Sequence, residues 1–217
     1  GCRVSITDTY PLFRRDGDAI GHPKGVENHL PWRHGFGVNA MDPTTSDFTE
    51  PQAFLESCRD LGVFAANLTV GSPYYCPHLQ RPAAYPPSDG YLPPRDPLCE
   101  VQRHLHTVRT IRALVPDLPL VGSGWSYLQE WLPNIARVEV RLGMVDFVGL
   151  GRSMLSYPTL PADVVAGRPL DRKQLCRTFS DCTTAPRNGM ISGCYPLDEL
   201  YESTPQAVEL QVLRKEA

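Results

Sequence analysis

The stretch "VGSGWSYLQEW", Val121 to Trp131, sets two glycines and a serine directly behind a short apolar run, and a helix-like pattern follows. A little farther on, "VDFVGLGRSML", Val145 to Leu155, repeats the arrangement with an arginine behind the glycines. An apolar run, a small-residue turn and then a helix is the order of a βα unit. Tight turns at strand ends routinely use glycine, so either motif alone reads as an ordinary turn. As a pair one helix apart, ending in arginine, they read as two halves of an anion clamp. Backbone N–H groups of Gly122, Ser123 and Gly124 are able to converge on an anion, and the Ser123 hydroxyl adds a donor. Gly149, Gly151 and Arg152 form the second arc, with the guanidinium making a forked, charge-assisted contact.

Working outward, two more apolar runs precede these: Cys2 to Thr7 and Phe64 to Val70. With Leu118 to Gly122 and Val145 to Leu150 they make four candidate strands, each bounded by Gly, Pro or Asp. Continuous apolar runs of this length suit strands buried on both faces of a parallel sheet. Helical patterns lie between them. Phe54, Leu55, Cys58 and Leu61 follow Pro51 at helical spacing, and Gly62 is the stop. Val101, Leu105, Val108, Ile111 and Val115 form one stripe after Pro97. Pro133 opens a third helix ending at Gly143, and a fourth, shorter helix is expected after Arg152.

Strand and helix thus alternate four times, which implies parallel βαβ units. A doubly wound sheet and a barrel both fit the alternation, and the glycine turns choose between them. In (β/α)8 barrels a phosphate site is often built from the loops after strands seven and eight. The expectation is therefore an α/β fold of TIM-barrel type in which only strands five to eight and their helices are present, over residues 1–170. A Cys-containing tail and terminal helix occupy 171–217. A whole barrel needs about 250 residues. The chain also opens Gly-Cys-Arg, without Met, straight into a strand, and reads as a piece of something longer. Half a barrel leaves two strand edges open, which favours association, homo-oligomers included.

Composition narrows the function classes. The formal net charge of -3 argues against a nucleic-acid surface, which needs a clustered basic face. No apolar run approaches the roughly 20 residues of a membrane helix, so no membrane partner is expected. Seven cysteines in a chain without a secretory signal read as reduced thiols in a cytoplasmic protein. Asn67-Leu68-Thr69 matches a glycosylation sequon, but inside a strand it takes no glycan.

Much of the proline, 22 residues in all, is concentrated between Tyr74 and Pro97. This loop follows the second strand, is too long for an ordinary βα connection, and is not expected to hold regular structure. Tyr74, Tyr75, Tyr85 and Tyr91 among the prolines argue for an ordered wall over a substrate pocket, with Tyr74, Tyr75 and His78 as the candidates to reach a bound carbonyl compound. His104 and His106 lie two apart on a helix and point in different directions, so they share no metal. His22, His29 and His34 fall between the first strand and first helix, at surface or lid positions.

"VGSGWSYLQ", "VDFVGLGRSMLSYPTLP", "GSPYYCPHLQRPAAYPPSDGYLPP" and "CRTFSDCTTAPRNGMISGCYPLD" together resemble the C-terminal half of an NADH:flavin oxidoreductase of the Old Yellow Enzyme family, from about Arg3 to Tyr201. The resemblance implies a barrel that binds FMN, with the phosphate at Gly122, Ser123, Gly124, Gly149, Gly151 and Arg152. It also gives Arg3 a role, facing the flavin's N1 and C2-carbonyl end, where a fixed cation stabilises the negative charge of the reduced cofactor. NAD(P)H is the implied reductant, and an activated alkene or related small electrophile the acceptor. The family's His/His or His/Asn substrate anchors and its tyrosine proton donor belong to the first half of the barrel and match no residue here, so the chain alone is expected to be catalytically incomplete.

Some relatives carry a four-cysteine iron–sulfur motif after the barrel, C-x2-C-x3-C-x11-C. Here Cys182 and Cys194 keep the last spacing, Cys176 is displaced by one position, and no fourth ligand is evident. The expectation is a tail without a cluster, in which Thr183, Thr184, Arg187 and Asn188 bond locally. Two rival readings share the anion site. Barrel lyases and isomerases of phosphorylated substrates place a Lys or carboxylate at strand ends, whereas Lys24, Lys173 and Lys215 lie elsewhere. A half-barrel that binds phosphate or partners without turnover is the other.

Overall fold

The structure is a computed structural model describing residues 1–84, 86–87 and 90–216. In chain order, β1 (Cys2–Ser5) is followed by the antiparallel hairpin of β2 (Leu12–Arg15) and β3 (Asp18–Pro23). Next come α1 (Thr49–Asp60), β4 (Ala66–Thr69), the single turn α2 (Pro77–Gln80) and the long α3 (Pro97–Leu114). Then follow β5 (Leu120–Gly122), α4 (Leu132–Arg141), β6 (Phe147–Val148) and α5 (Leu160–Val165). The tail adds α6 (Asp181–Arg187), α7 (Glu199–Glu202) and α8 (Pro205–Glu216).

Local signals set several of these ends. Asp96 caps α3 by accepting the Leu98 N–H at 2.8 Å, and Pro97 stands in the first turn where a missing N–H costs nothing. Gly62, at φ +79°, lets the chain leave α1 in the left-handed region.

Strands β1, β4, β5 and β6 form one parallel sheet in that spatial order, and the fold is mixed α/β. The strands are not apolar on both faces, as their runs suggest. They alternate. Cys2, Val4, Ala66, Leu68 and Leu120 face a core completed by Leu55 of α1, Val108 and Ile111 of α3, Trp125 and Leu132. Leu120 and Leu55 are wholly buried, a contribution of about 2 kcal/mol for each side chain. The intervening positions carry Arg3, Asn67 and Thr69. Arg3 stands opposite Asn67 and Asn67 opposite Val121, so the polar residues are brought into adjacent rows by register.

Two further expectations are corrected, and one element joins those foreseen. The segment after β1 holds the β2–β3 hairpin, whose turn carries Gly17 at φ +77°. The Pro-rich stretch contains α2, with Pro77 in its first turn. β6 is two residues long rather than six, because Gly149 and Leu150 already belong to the following turn.

The tail has its own small core of Ala185, Met190, Tyr195, Ala207 and Leu210. It is tied to the Pro-rich loop where Arg187 donates to the Pro73 carbonyl at 2.9 Å. No helix among the described residues is long and apolar enough to cross a membrane.

Candidate functional site

Beyond the C-terminal ends of β4, β5 and β6 lies an open cleft of about 240 Å³. Arg3, Asn67 and Thr69 come up from the strands; Ser123, Gly124 and Ser126 from the turn after β5; Gly149, Leu150, Gly151 and Arg152 from the turn after β6; and Gln80 and Arg81 from the end of α2. Three guanidinium groups therefore face one space, and among the described residues no carboxylate or lysine lines it.

The two glycine turns meet there. A Cβ on Gly149 would stand 2.8 Å from Ser123 Oγ, so the missing side chain is what allows the turns to approach. Ser123 Oγ donates to Asn67 Oδ1, which ties the turn to the polar row of β4. Among the described residues no acceptor within the chain takes the N–H of Ser123, Gly124 or Gly151. These donors remain for an outside acceptor.

Not every glycine of the clamp plays the same part. Gly122 stays outside the walls of the cleft, and a Cβ there would meet the Trp125 ring at 2.5 Å, so its smallness serves core packing. The Gly149 N–H is already bonded to the Gly122 carbonyl at 2.8 Å, which leaves Gly149 as a spacer rather than a donor. Gly124 combines φ +89° with the His104 ring 2.6 Å from where a Cβ would be. His104, buried on α3, also reaches the Leu79 carbonyl with Nε2 at 2.8 Å. Burial brings its pKa down to about 4, so the ring is neutral and works as a support between loop and turn.

Arg152 lines the cleft half-buried, donating to Thr183 Oγ1 of the tail and, at 3.3 Å, to Gln80 Oε1. Its pKa falls to about 10, through burial first and the charge of Arg81 second.

The loop candidates fare differently from the clamp. Tyr74 is 86% exposed and lines no part of the cleft. Tyr75 donates to Asp8, and burial together with that carboxylate raises its pKa. His78 is buried, shares a hydrogen bond of 2.7 Å with the Tyr91 hydroxyl, and is held neutral by burial with a pKa of about 4. Tyr75 is not among the residues that line the cleft, whereas His78 lines an adjoining pocket together with Gln80, Arg81 and Arg152, which line the cleft as well. Tyr85 lies outside the described residues.

In the tail, Cys176 accepts from Arg81 Nη2 at 3.3 Å. Burial pushes the Cys194 thiol up to about 11, with the charge of Cys176 as the next cause. Among the described residues, no group of three or more His, Cys, Asp or Glu is placed to hold a metal ion, and Cys176, Cys182 and Cys194 do not form one.

Residues the sequence reading passed over are Asn67, Thr69, Gln80 and Arg81. The polar alternation within "ANLT" was a readable sign for the first two. Comparison with family models, with curated proteins and with solved structures finds no match to the chain.

Proposed function

We propose that the cleft holds the phosphate and flavin of FMN, and that the chain is the second half of a (β/α)8 barrel of an Old Yellow Enzyme-type NAD(P)H:flavin oxidoreductase. The observation that carries this reading is the carboxylate-free cleft, in which two facing glycine turns supply open N–H donors beside the Arg152 guanidinium. An anion is the ligand such donors fit, and strand-end loops of a parallel α/β sheet are where ligands bind.

In this reading Ser123, Gly124, Gly151 and Arg152 grip the ribityl phosphate. Arg3, a row deeper on β1, fixes positive charge at the pyrimidine end of the ring system, and Asn67 orients Ser123. When bound, FMN supplies hydride chemistry between a reduced nicotinamide and an activated alkene or related electrophile. The protein's own contribution is positioning and charge: a cation that costs no reorganisation as negative charge develops, and a clamp that fixes the cofactor's depth.

The lyase or isomerase reading is disfavoured because, among the described residues, no lysine or carboxylate lines the cleft to move a proton. Flavin absorbance tests the proposal directly. The protein mixed with FMN is expected to give a yellow complex that survives desalting and bleaches with NADH or NADPH; free FMN eluting apart from the protein overturns it.

A further inference from the structure

Two guanidinium groups meet where the tail crosses the Pro-rich loop. Arg81, immediately after α2, is only 9% exposed, with Nη1 3.3 Å from Ser180 Oγ and Nη2 3.3 Å from Cys176 Sγ. Arg152 has Thr183, Gln80 and Cys182 as partners. Asp181 feels the charge of Arg81 but is ion-paired elsewhere, and neither arginine has a carboxylate in an ion pair of its own among the described residues.

That is unlike the treatment of buried charge elsewhere in the molecule. Glu100 is held by Arg95 at 2.6 Å and Arg103 at 2.9 Å. Glu139 is forked by Arg109, and Asp181, next to Ser180, is paired with Arg214 at 3.2 Å. Burying a cation without a carboxylate in an ion pair is unfavourable, and setting a second cation beside it adds repulsion. Both disadvantages turn into binding energy when a ligand brings two negative charges, and forked guanidinium donors match phosphate oxygens.

We infer that Arg81 and Arg152 form a two-cation seat for a dianionic phosphate group, backed by Gln80 and by Ser180 and Thr183 of the tail. Both arginines line the cleft together with Ser123, Gly124 and Gly151, so the seat and the open N–H donors address the same oxygens. The flavin reading supplies only the owner of the phosphate. The charge argument holds for inorganic phosphate as well.

Titrations with FMN and with riboflavin, which shares the ring system and lacks the phosphate, separate the two claims. Arg81→Gln is expected to raise the Kd for FMN by roughly 10-fold or more and to leave that for riboflavin within about twofold. Wild-type affinity for FMN in Arg81→Gln, or parallel loss of both ligands, overturns the inference.

If the wild-type protein binds neither flavin, the cofactor reading falls and inorganic phosphate decides the seat. Phosphate at about 10 mM is expected to raise the wild-type Tm relative to sodium chloride of equal ionic strength, and the shift is expected to vanish in Arg81→Gln. No shift in the wild type, or an equal shift in both, overturns it. Arg81→Lys, which keeps a charge and loses the fork, covers the case in which Arg81→Gln does not fold. A reduced phosphate response is expected there, and a wild-type response overturns the seat.

Discussion

In the Pro-rich loop the polar side chains find partners inside the protein: Tyr75 with Asp8, and His78 with Tyr91. In the glycine turns at the same end of the sheet, Ser123, Gly124 and Gly151 keep N–H groups without an acceptor among the described residues, and Arg152 has no carboxylate in an ion pair there. Both regions are rich in groups that chemistry could use, yet their states differ. A polar group whose bonds close within the fold is already satisfied by structure. One whose donors or charge stay open is shaped for something else.

Acid gives the largest test of the closed region. His78 and His104 each have folded pKa values of about 4 against about 6.5 in an unfolded chain. The unfolded state binds more protons between those values, so the stability from burying the neutral rings is complete above pH 6.5 and is lost as pH falls towards 4. The loss is about 3 kcal/mol for each ring. Urea unfolding at pH 7 and pH 4.5 is expected to show it, with a smaller difference in His104→Gln. An identical pH dependence in that variant would mean that the ring is not a buried neutral support.

The turn itself comes next. Gly124→Ala forces a Cβ into the His104 ring at a φ that L-residues rarely adopt, and is expected to cost about 3 kcal/mol, read as a fall in urea midpoint. Gly151→Ala, with open space where the Cβ goes, is expected to leave the midpoint within about 0.5 kcal/mol.

Removing an open donor acts on binding rather than folding. Arg152→Gln is expected to weaken FMN by about 2 kcal/mol, or roughly 30-fold, by flavin fluorescence titration. Equal affinity would remove the distinction between the regions. Tyr75→Phe loses the Asp8 bond and is expected to lower stability by about 1 kcal/mol with FMN affinity unchanged, which thermal melts and the same titration check together. Tyr74→Ala, at the exposed tip, is expected to move neither quantity by more than about 0.5 kcal/mol.

What the sequence disclosed follows from how locally each feature is encoded. Pro97, Asp96 and Gly62 mark helix ends through bonds a few residues long, and the alternation of apolar runs with stripes was enough to read a parallel α/β sheet. The β2–β3 hairpin carried a turn sign in Asp16-Gly17, but its strands bury little, with β2 hiding Leu12 alone, so no apolar pattern advertised them. Ser123, Gly124, Gly151 and Arg152 were legible as turn residues. Which glycines donate and which merely make room was not, because that depends on Trp125, on the His104 ring and on the Gly122 carbonyl. Arg81 was hidden most completely. Its meaning comes from Ser180 and Cys176, more than ninety positions away, and no periodicity records such a meeting.

One ring bears on both sides of the cleft. The His104 imidazole underlies Gly124 and also fastens the Leu79 carbonyl, two residues before Arg81. Turn and loop thus share a fulcrum on α3, with the amides of one jaw and the guanidinium of the other on either side of it. Replacing the ring is therefore expected to disturb both jaws of the cleft together.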